Sequence, residues 1–99
     1  MFFTRIMLHK VMFVYEFEGR TASQVGKMNR TLFGYKDKSN HGKYVYWRDG
    51  YLSRMALKRL ARGVILTDSV NDREVHDALR KVGAKKITRY YLTVNKVVK

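Results

Sequence analysis

Thirteen residues near the start of the chain, Ile6 to Glu18 (IMLHKVMFVYEFE), leave the fewest structural options. They are rich in β-branched and aromatic types. Val11, Phe13, Tyr15 and Phe17 recur at period two, while Lys10, Glu16 and Glu18 punctuate the other positions. This pattern predicts a long strand with one better-buried side, closed by Gly19-Arg20, and a strand that long needs a sheet around it. The chain has 99 residues, 45% of them hydrophobic, which fits one domain over residues 1–99 with a modest core. No repeat, low-complexity tract or Pro/Ser-rich linker divides it, and proline is absent.

Thr21-Ala22-Ser23-Gln24 has the form of a capping box, with Val25, Met28 and Leu32 at helical spacing behind it and Gly34 where a left-handed cap belongs. A helix is predicted over about residues 22–33. Tyr35 to Gly42 reads as a polar loop, Lys43 to Arg48 as a strand, Asp49-Gly50 as a two-residue hairpin turn and Tyr51-Leu52 as a short returning strand. Ser53 then caps a short helix, Arg54 to Arg62, ended by Gly63. In that helix Arg54, Lys58, Arg59 and Arg62 fall within an arc of about 140°, and most apolar residues fall on the other side. Val64 to Thr67 reads as a short strand. Asn71 opens a second helix through a box-like cap, with Val75, Ala78, Leu79 and Val82 as its apolar stripe and Gly83 as its end. Lys86 to Val94 closes the order as a strand with a basic tail. The expected fold is α+β, a small single-domain βαββαβ ferredoxin-like sandwich with an inserted hairpin return and a short basic helix.

Charge narrows the partners. Twenty-one Lys and Arg against eight Asp and Glu leave +13, far beyond the ~2–8 that solubility alone asks of a small domain. Residues 27–63 hold ten of the cations and only two acids, so this third of the chain carries +8 of the surplus. A clustered excess that repels itself on compaction suggests a polyanionic partner. There is no cysteine, which excludes a disulfide framework, a thiolate metal site and a Cys nucleophile. No apolar run approaches the ~18 residues of a membrane span, and the opening residues do not read as a signal peptide, so the expected setting is cytoplasmic with no membrane partner.

Three segments are candidates for contact with nucleic acid. The helix cations Arg54, Lys58, Arg59 and Arg62 lack the interleaved acids of a solvated helix face and suit a phosphate backbone. Tyr44, Tyr46 and Trp47, interleaved with Lys43 and Arg48, could stack unpaired bases. The competing reading is that these rings simply fill the core. The loop containing Lys36, Lys38 and Lys43 could clamp phosphates, although it lacks Walker spacing, and an ordinary connection reads equally well. The RNP pattern of RNA-recognition modules is absent.

Enzymatic readings are weaker. His41 could act as a general base on the 2′-OH of RNA, but His9 and His76 lie in other elements and no partner acid is evident. Glu16 and Glu18 with Asp68 are a thin supply of carboxylates for two-metal chemistry, and pairing with lysines on an edge strand explains them better. No catalytic residue, metal site or cofactor is expected. The sequence therefore points to a nonenzymatic RNA-binding protein, a small ribosomal or ribonucleoprotein component. It would contact RNA through Lys36, Lys38, Lys43, Tyr46, Trp47, Arg48, Arg54, Lys58, Arg59 and Arg62. The alternatives are a DNA-binding regulator or chromatin-type protein, a small ribonuclease using His41, and a module for an acidic protein partner. Oligomeric state is open.

Overall fold

The structure, a computed structural model, describes residues 4–39 and 41–98. Six strands and two helices follow the order β1 (Thr4–Glu16), α1 (Ala22–Phe33), β2 (Tyr35–Ser39), β3 (Tyr44–Arg48), β4 (Leu57–Ala61), β5 (Val64–Asp68), α2 (Asp72–Val82) and β6 (Lys85–Val98). Four of the strands form one antiparallel sheet in the order β4-β5-β1-β6, and β2 and β3 form a separate two-stranded sheet. The class is mixed α+β. Because neighbours are antiparallel, β1 and β4 run the same way with β5 between them, and β5 and β6 run the same way with β1 between them. The chain crosses between the first pair through α1 and between the second pair through α2.

β1 is the axis of the sheet because its period-two face meets both helices. Val11 and Phe13 are fully buried and Tyr15 nearly so, together with Leu32 of α1, Ile65 of β5, and Val75, Ala78 and Leu79 of α2. Phe17, Phe33, Val82 and Ile87 pack around them. The capping box forms as the spacing requires: the Gln24 amide donates to Thr21 Oγ1 (3.2 Å) and the Thr21 amide donates to Gln24 Oε1 (2.9 Å). α2 starts differently. Asn71 makes no side-chain cap; its Nδ2 donates instead to Thr67 Oγ1 at 3.1 Å, so the expected second box is absent. Asp72 and Glu74 still place negative charge in the first turn.

Two further expectations are overturned. Arg54 to Arg62 is not a helix: residues 51–54 turn, and Leu57–Ala61 is an edge strand paired with β5 and joined to it through Arg62 and Gly63. An edge strand has one unpaired side and tolerates long cations on both faces, which also discourage pairing with another chain. Gly63 sits at φ +75, a conformation the tight turn needs and a side chain resists. Nor does Asp49-Gly50 turn a hairpin. β3 pairs backwards with β2, so the segment expected as a polar loop is half strand, and Tyr51-Leu52 docks on α1 rather than returning as a strand. The Tyr51 amide donates to Thr31 O (2.9 Å) and the Leu52 amide to Leu32 O (2.8 Å). These bonds satisfy carbonyls at the helix end that no helical amide reaches. Leu52, 2% exposed, locks the segment into the core.

β6 runs further than its apolar pattern suggested because it follows β1 along almost the whole of that strand, from Thr4↔Val98 to Glu16↔Lys85. Beyond Lys10, β1 and β6 continue toward Thr4 as a ribbon without β5, and the molecule is elongated, 57 × 34 × 20 Å. No helix among the described residues is long and apolar enough to cross a membrane.

Candidate nucleic-acid interface

The β2–β3 hairpin stands off the body of the molecule, and all five residues of β3 are exposed. That separates the two readings of its aromatics: they do not fill the core. Tyr44, Val45, Tyr46 and Trp47 are each about half exposed, at 47%, 56%, 50% and 56%. The register divides the side chains between two faces. Lys36 lies opposite Trp47 and Lys38 opposite Val45, so one face carries two cations, an aliphatic chain and an indole. Tyr35, Asp37 and Ser39 lie opposite Arg48, Tyr46 and Tyr44, giving the other face a row of phenol rings.

On the second face Tyr44 and Tyr46 are near-parallel, with ring centroids 6.5 Å apart and planes 28° from each other. That spacing follows from the strand, whose same-face residues repeat every ~6.6–6.8 Å. Lys43 Nζ sits 5.6 Å from the Tyr44 ring, and the Arg30 guanidinium lies 5.4 Å from the Tyr35 ring, extending the face onto α1. On the first face the Trp47 indole N–H donates to Asp49 Oδ1 at 2.7 Å, holding the ring at the hairpin base while leaving its surface open. The indole also lies against Gly34: a Cβ there would come within 2.8 Å of Trp47 Cζ2.

The cations expected to bind phosphate separate into several groups. Lys36, Lys38 and Lys43 have no carboxylate within ion-pair distance among the described residues, whereas Arg48 Nε donates to Asp37 Oδ2 at 3.1 Å and Arg54 Nη2 to Asp49 Oδ2 at 3.0 Å. Both arginines are thereby partly neutralised. With the basic helix gone, its arc of four cations is gone too. Lys58 lies opposite Leu66 on the outer face of the large sheet. Arg59 lies on the helix-facing side, its guanidinium 3.9 Å from the centroid of the Phe33 ring. Arg62 sits in the β4–β5 turn and joins Arg59, Asn29 and Tyr15 around a cleft of about 300 Å³. The structure thus groups Lys36, Lys38, Lys43, Tyr46, Trp47 and Arg48 on one hairpin, groups Arg59 with Arg62 separately, and detaches Arg54 and Lys58 from both.

Two α1 residues escape the sequence reading: Arg30, exposed and set over the Tyr35 ring, and Asn29, half-buried beside Arg59 and Arg62. Neither carries a local signal, because what each faces is set by how the hairpin and the β4–β5 turn lie against α1. Tyr35-Lys36-Asp37-Lys38-Ser39 alternates charge at period two, which is a strand signature that a loop reading passes over.

The other chemical candidates are dispersed. His41 occupies the exposed hairpin tip at φ +58, His9 lies on β1 and His76 on α2, where its Nδ1 is 3.9 Å from Asp77 Oδ1. Glu16 and Glu18 both approach Lys86 Nζ, at 3.8 and 3.5 Å, and Asp68 accepts from Lys10 Nζ at 2.5 Å, so these carboxylates are engaged in ion pairs. Among the described residues no three His, Asp or Glu side chains cluster as metal ligands. Two tyrosines are perturbed. Burial pushes the Tyr15 phenol above its ordinary value, partly opposed by Arg59, and the Tyr91 phenol is raised chiefly by donating to Asp72 Oδ2 at 2.7 Å. Comparison with known protein families, with curated proteins and with solved structures returned no match.

Proposed function

We propose that the chain is a nonenzymatic RNA-binding protein, a cytoplasmic ribonucleoprotein component that engages unpaired bases through the β2–β3 hairpin. One observation carries this reading: every residue of β3 is exposed, three of the five are aromatic, and the hairpin carries three cations without carboxylate partners among the described residues. Exposed rings are a poor investment for a monomeric surface unless they bind something. Rings beside cations suit a ligand with planar bases and a phosphate backbone. RNA loops and ends offer splayed bases, which duplex DNA keeps stacked, so rings on both faces of the ribbon favour RNA over a DNA regulator. Lys36, Lys38 and Lys43 are the phosphate contacts. Trp47, Tyr44 and Tyr46 are the stacking groups, and Arg59 with Arg62 forms a second cationic patch on which the backbone continues.

The body that holds this hairpin is a ferredoxin-like sandwich on this reading. The split βαβ crossings and the β4-β5-β1-β6 order support it, with β2–β3 inserted between α1 and β4. The fold allows many activities, so the hairpin and not the sandwich carries the functional argument.

The test is binding of single-stranded RNA, hairpin RNA and duplex DNA across a salt series with Mg²⁺ present, followed by a check of the nucleic acid for cleavage. Replacing Trp47 or Tyr46 by Ala should weaken RNA binding by about 5–150-fold each, equivalent to ~1–3 kcal/mol per stacked base. Replacing Lys36, Lys38 and Lys43 together by Gln should reduce the slope of log affinity against log salt by about 2. Preference for duplex DNA, or affinity unchanged by the aromatic substitutions, would overturn the reading. Cleavage lost with His41→Ala would replace it with a nuclease.

A further inference from the structure

Two arginines expected on a helix line, instead, a cleft between α1 and the β4–β5 turn. Arg59 and Arg62 stand there with Asn29, and Tyr15, Phe17 and Val25 form the apolar wall. The turn is fixed in place: the Tyr15 amide donates to Gly63 O at 2.9 Å, and a Cβ at Gly63 would meet Tyr15 O at 2.5 Å. Arg59 is held as well, because its guanidinium lies over the Phe33 ring. A guanidinium held by its face keeps the N–H donors in its plane free for an oxyanion. A shallower hollow of about 380 Å³ opens beside the cleft against Asn29, Arg59, Ala61 and Arg62. The same three polar side chains therefore stand between an apolar recess and an open polar one.

We infer that this cleft binds a nucleoside monophosphate, its base against Tyr15, Phe17 and Val25 and its phosphate between Arg59 and Arg62. Charge selects the phosphate. Arg48, Arg54 and Arg89 each have a carboxylate at 3.0 or 3.1 Å, whereas among the described residues neither Arg59 nor Arg62 has one within ion-pair distance. Two uncompensated guanidiniums on one cleft repel each other until an anion joins them. Glu16, also on the cleft, does not fill that role: its Oε2 lies 3.8 Å from Lys86 Nζ. A phosphomonoester carries about −1.5 to −2 near pH 7, more than a diester within a strand, and its oxygens match the arginine fork. Shape selects the nucleotide. At about 300 Å³ the cleft is at the lower end of the ~300–1,000 Å³ range of ligand pockets, so it admits one ring system with its sugar and not a length of strand. Tyr15 and Phe17 meet edge to face with centroids 5.6 Å apart, presenting ring surface to a base. The nucleotide is either free or the 5′ end of an RNA; the second source rests on the RNA reading, and the site itself does not.

Calorimetric titration of the wild-type protein with adenosine 5′-monophosphate, adenosine and inorganic phosphate at about 150 mM salt tests the site without RNA, so its failure and that of the hairpin reading register separately. The monophosphate should bind about tenfold or more tighter than adenosine, which lacks the charge, and than phosphate, which lacks the base. Arg62→Gln should weaken it by about 10–150-fold. Arg73→Gln removes the same charge from an exposed position on α2 and should change nothing. Arg62 is exposed in its turn, so its loss spares the fold. Arg59→Lys, which keeps the charge but not the fork, should also weaken binding, and thermal unfolding verifies that both variants are folded. No binding of the monophosphate, adenosine or phosphate binding as tightly, or an equal loss from Arg62→Gln and Arg73→Gln overturns the inference. A short RNA with a 5′-phosphate should outbind its 5′-hydroxyl form by about tenfold where the strand end is the ligand. Equal binding of the two, with the monophosphate still bound, assigns the cleft to the free nucleotide.

Discussion

Gly50→Ala is the substitution with the largest calculable consequence, because it acts on the joint between the hairpin and the body. A Cβ at Gly50 would lie 2.4 Å from the Gly34 nitrogen and 2.5 Å from the carbonyl carbon and oxygen of Leu32, all backbone atoms that no rotamer change can move aside. Segment 50–52 must therefore lift away from the end of α1. Lifting breaks the bonds from the Tyr51 and Leu52 amides to Thr31 O and Leu32 O, worth about 1 kcal/mol each. It also draws Leu52 from the core, whose side-chain burial contributes roughly another 1.5–3 kcal/mol. Partial relaxation recovers some of this, so the expected loss is about 3 kcal/mol out of the ~5–15 kcal/mol typical of a domain this size. Urea unfolding monitored by Trp47 fluorescence gives the free energy, and thermal unfolding should fall by roughly 12–24 °C. RNA affinity should fall as well, since Trp47 and Asp49 share this joint. A variant within 1 kcal/mol of wild type would mean that the close approach of Gly34 and Gly50 is not what holds the hairpin in place.

Gly26→Ala should act in the opposite direction: the site lies inside α1 with nothing within 4 Å of an added Cβ, so the helix should gain about 0.5–1 kcal/mol, read as a higher urea midpoint. Tyr15 sets an alkaline limit. Its folded pKa lies above the ordinary value of 10.0 because burial disfavours the phenolate, so its contribution is fully present below pH 10.0 and is lost as the pH climbs through the raised folded value. Tyr15→Phe should flatten the decline in stability measured from about pH 8 to about pH 11, leaving the part due to Tyr91, whose phenol is also raised. An unchanged decline would place its origin elsewhere.

The elements that were legible in the sequence are those whose signals are local. The box Thr21–Gln24 and the glycine at 34 bound α1 to the residue because both act within one turn of chain, although Gly34 takes φ 79 and ψ 176 and not the left-handed helical cap its position suggests, since the chain leaves the helix directly into β2. The period-two face of β1 and the stripe Val75, Ala78, Leu79 identify core positions because burial on one side of a regular element leaves a regular trace. The class of the fold, the tight clustering of charge and the candidacy of Tyr46 and Trp47 follow from the same kind of reading.

Only the tertiary structure decided the rest, and the reason is the long range of strand pairing. Arg54 to Arg62 satisfies a helical wheel as well as it satisfies an edge strand, and the choice falls to the ladder that β5 offers to Leu57–Ala61, which no periodicity records. Trp47 could close a hairpin forward through Asp49-Gly50 or backward onto Lys36. The backward pairing is accompanied by a Gly50 that must sit against α1, a contact between residues 16 or more apart in sequence. Exposure of both hairpin faces, and the meeting of Asn29, Arg59 and Arg62 on one cleft, are likewise properties of how elements stack. Sequence determines which side chains share a face; packing determines whether that face meets the core, solvent or another molecule.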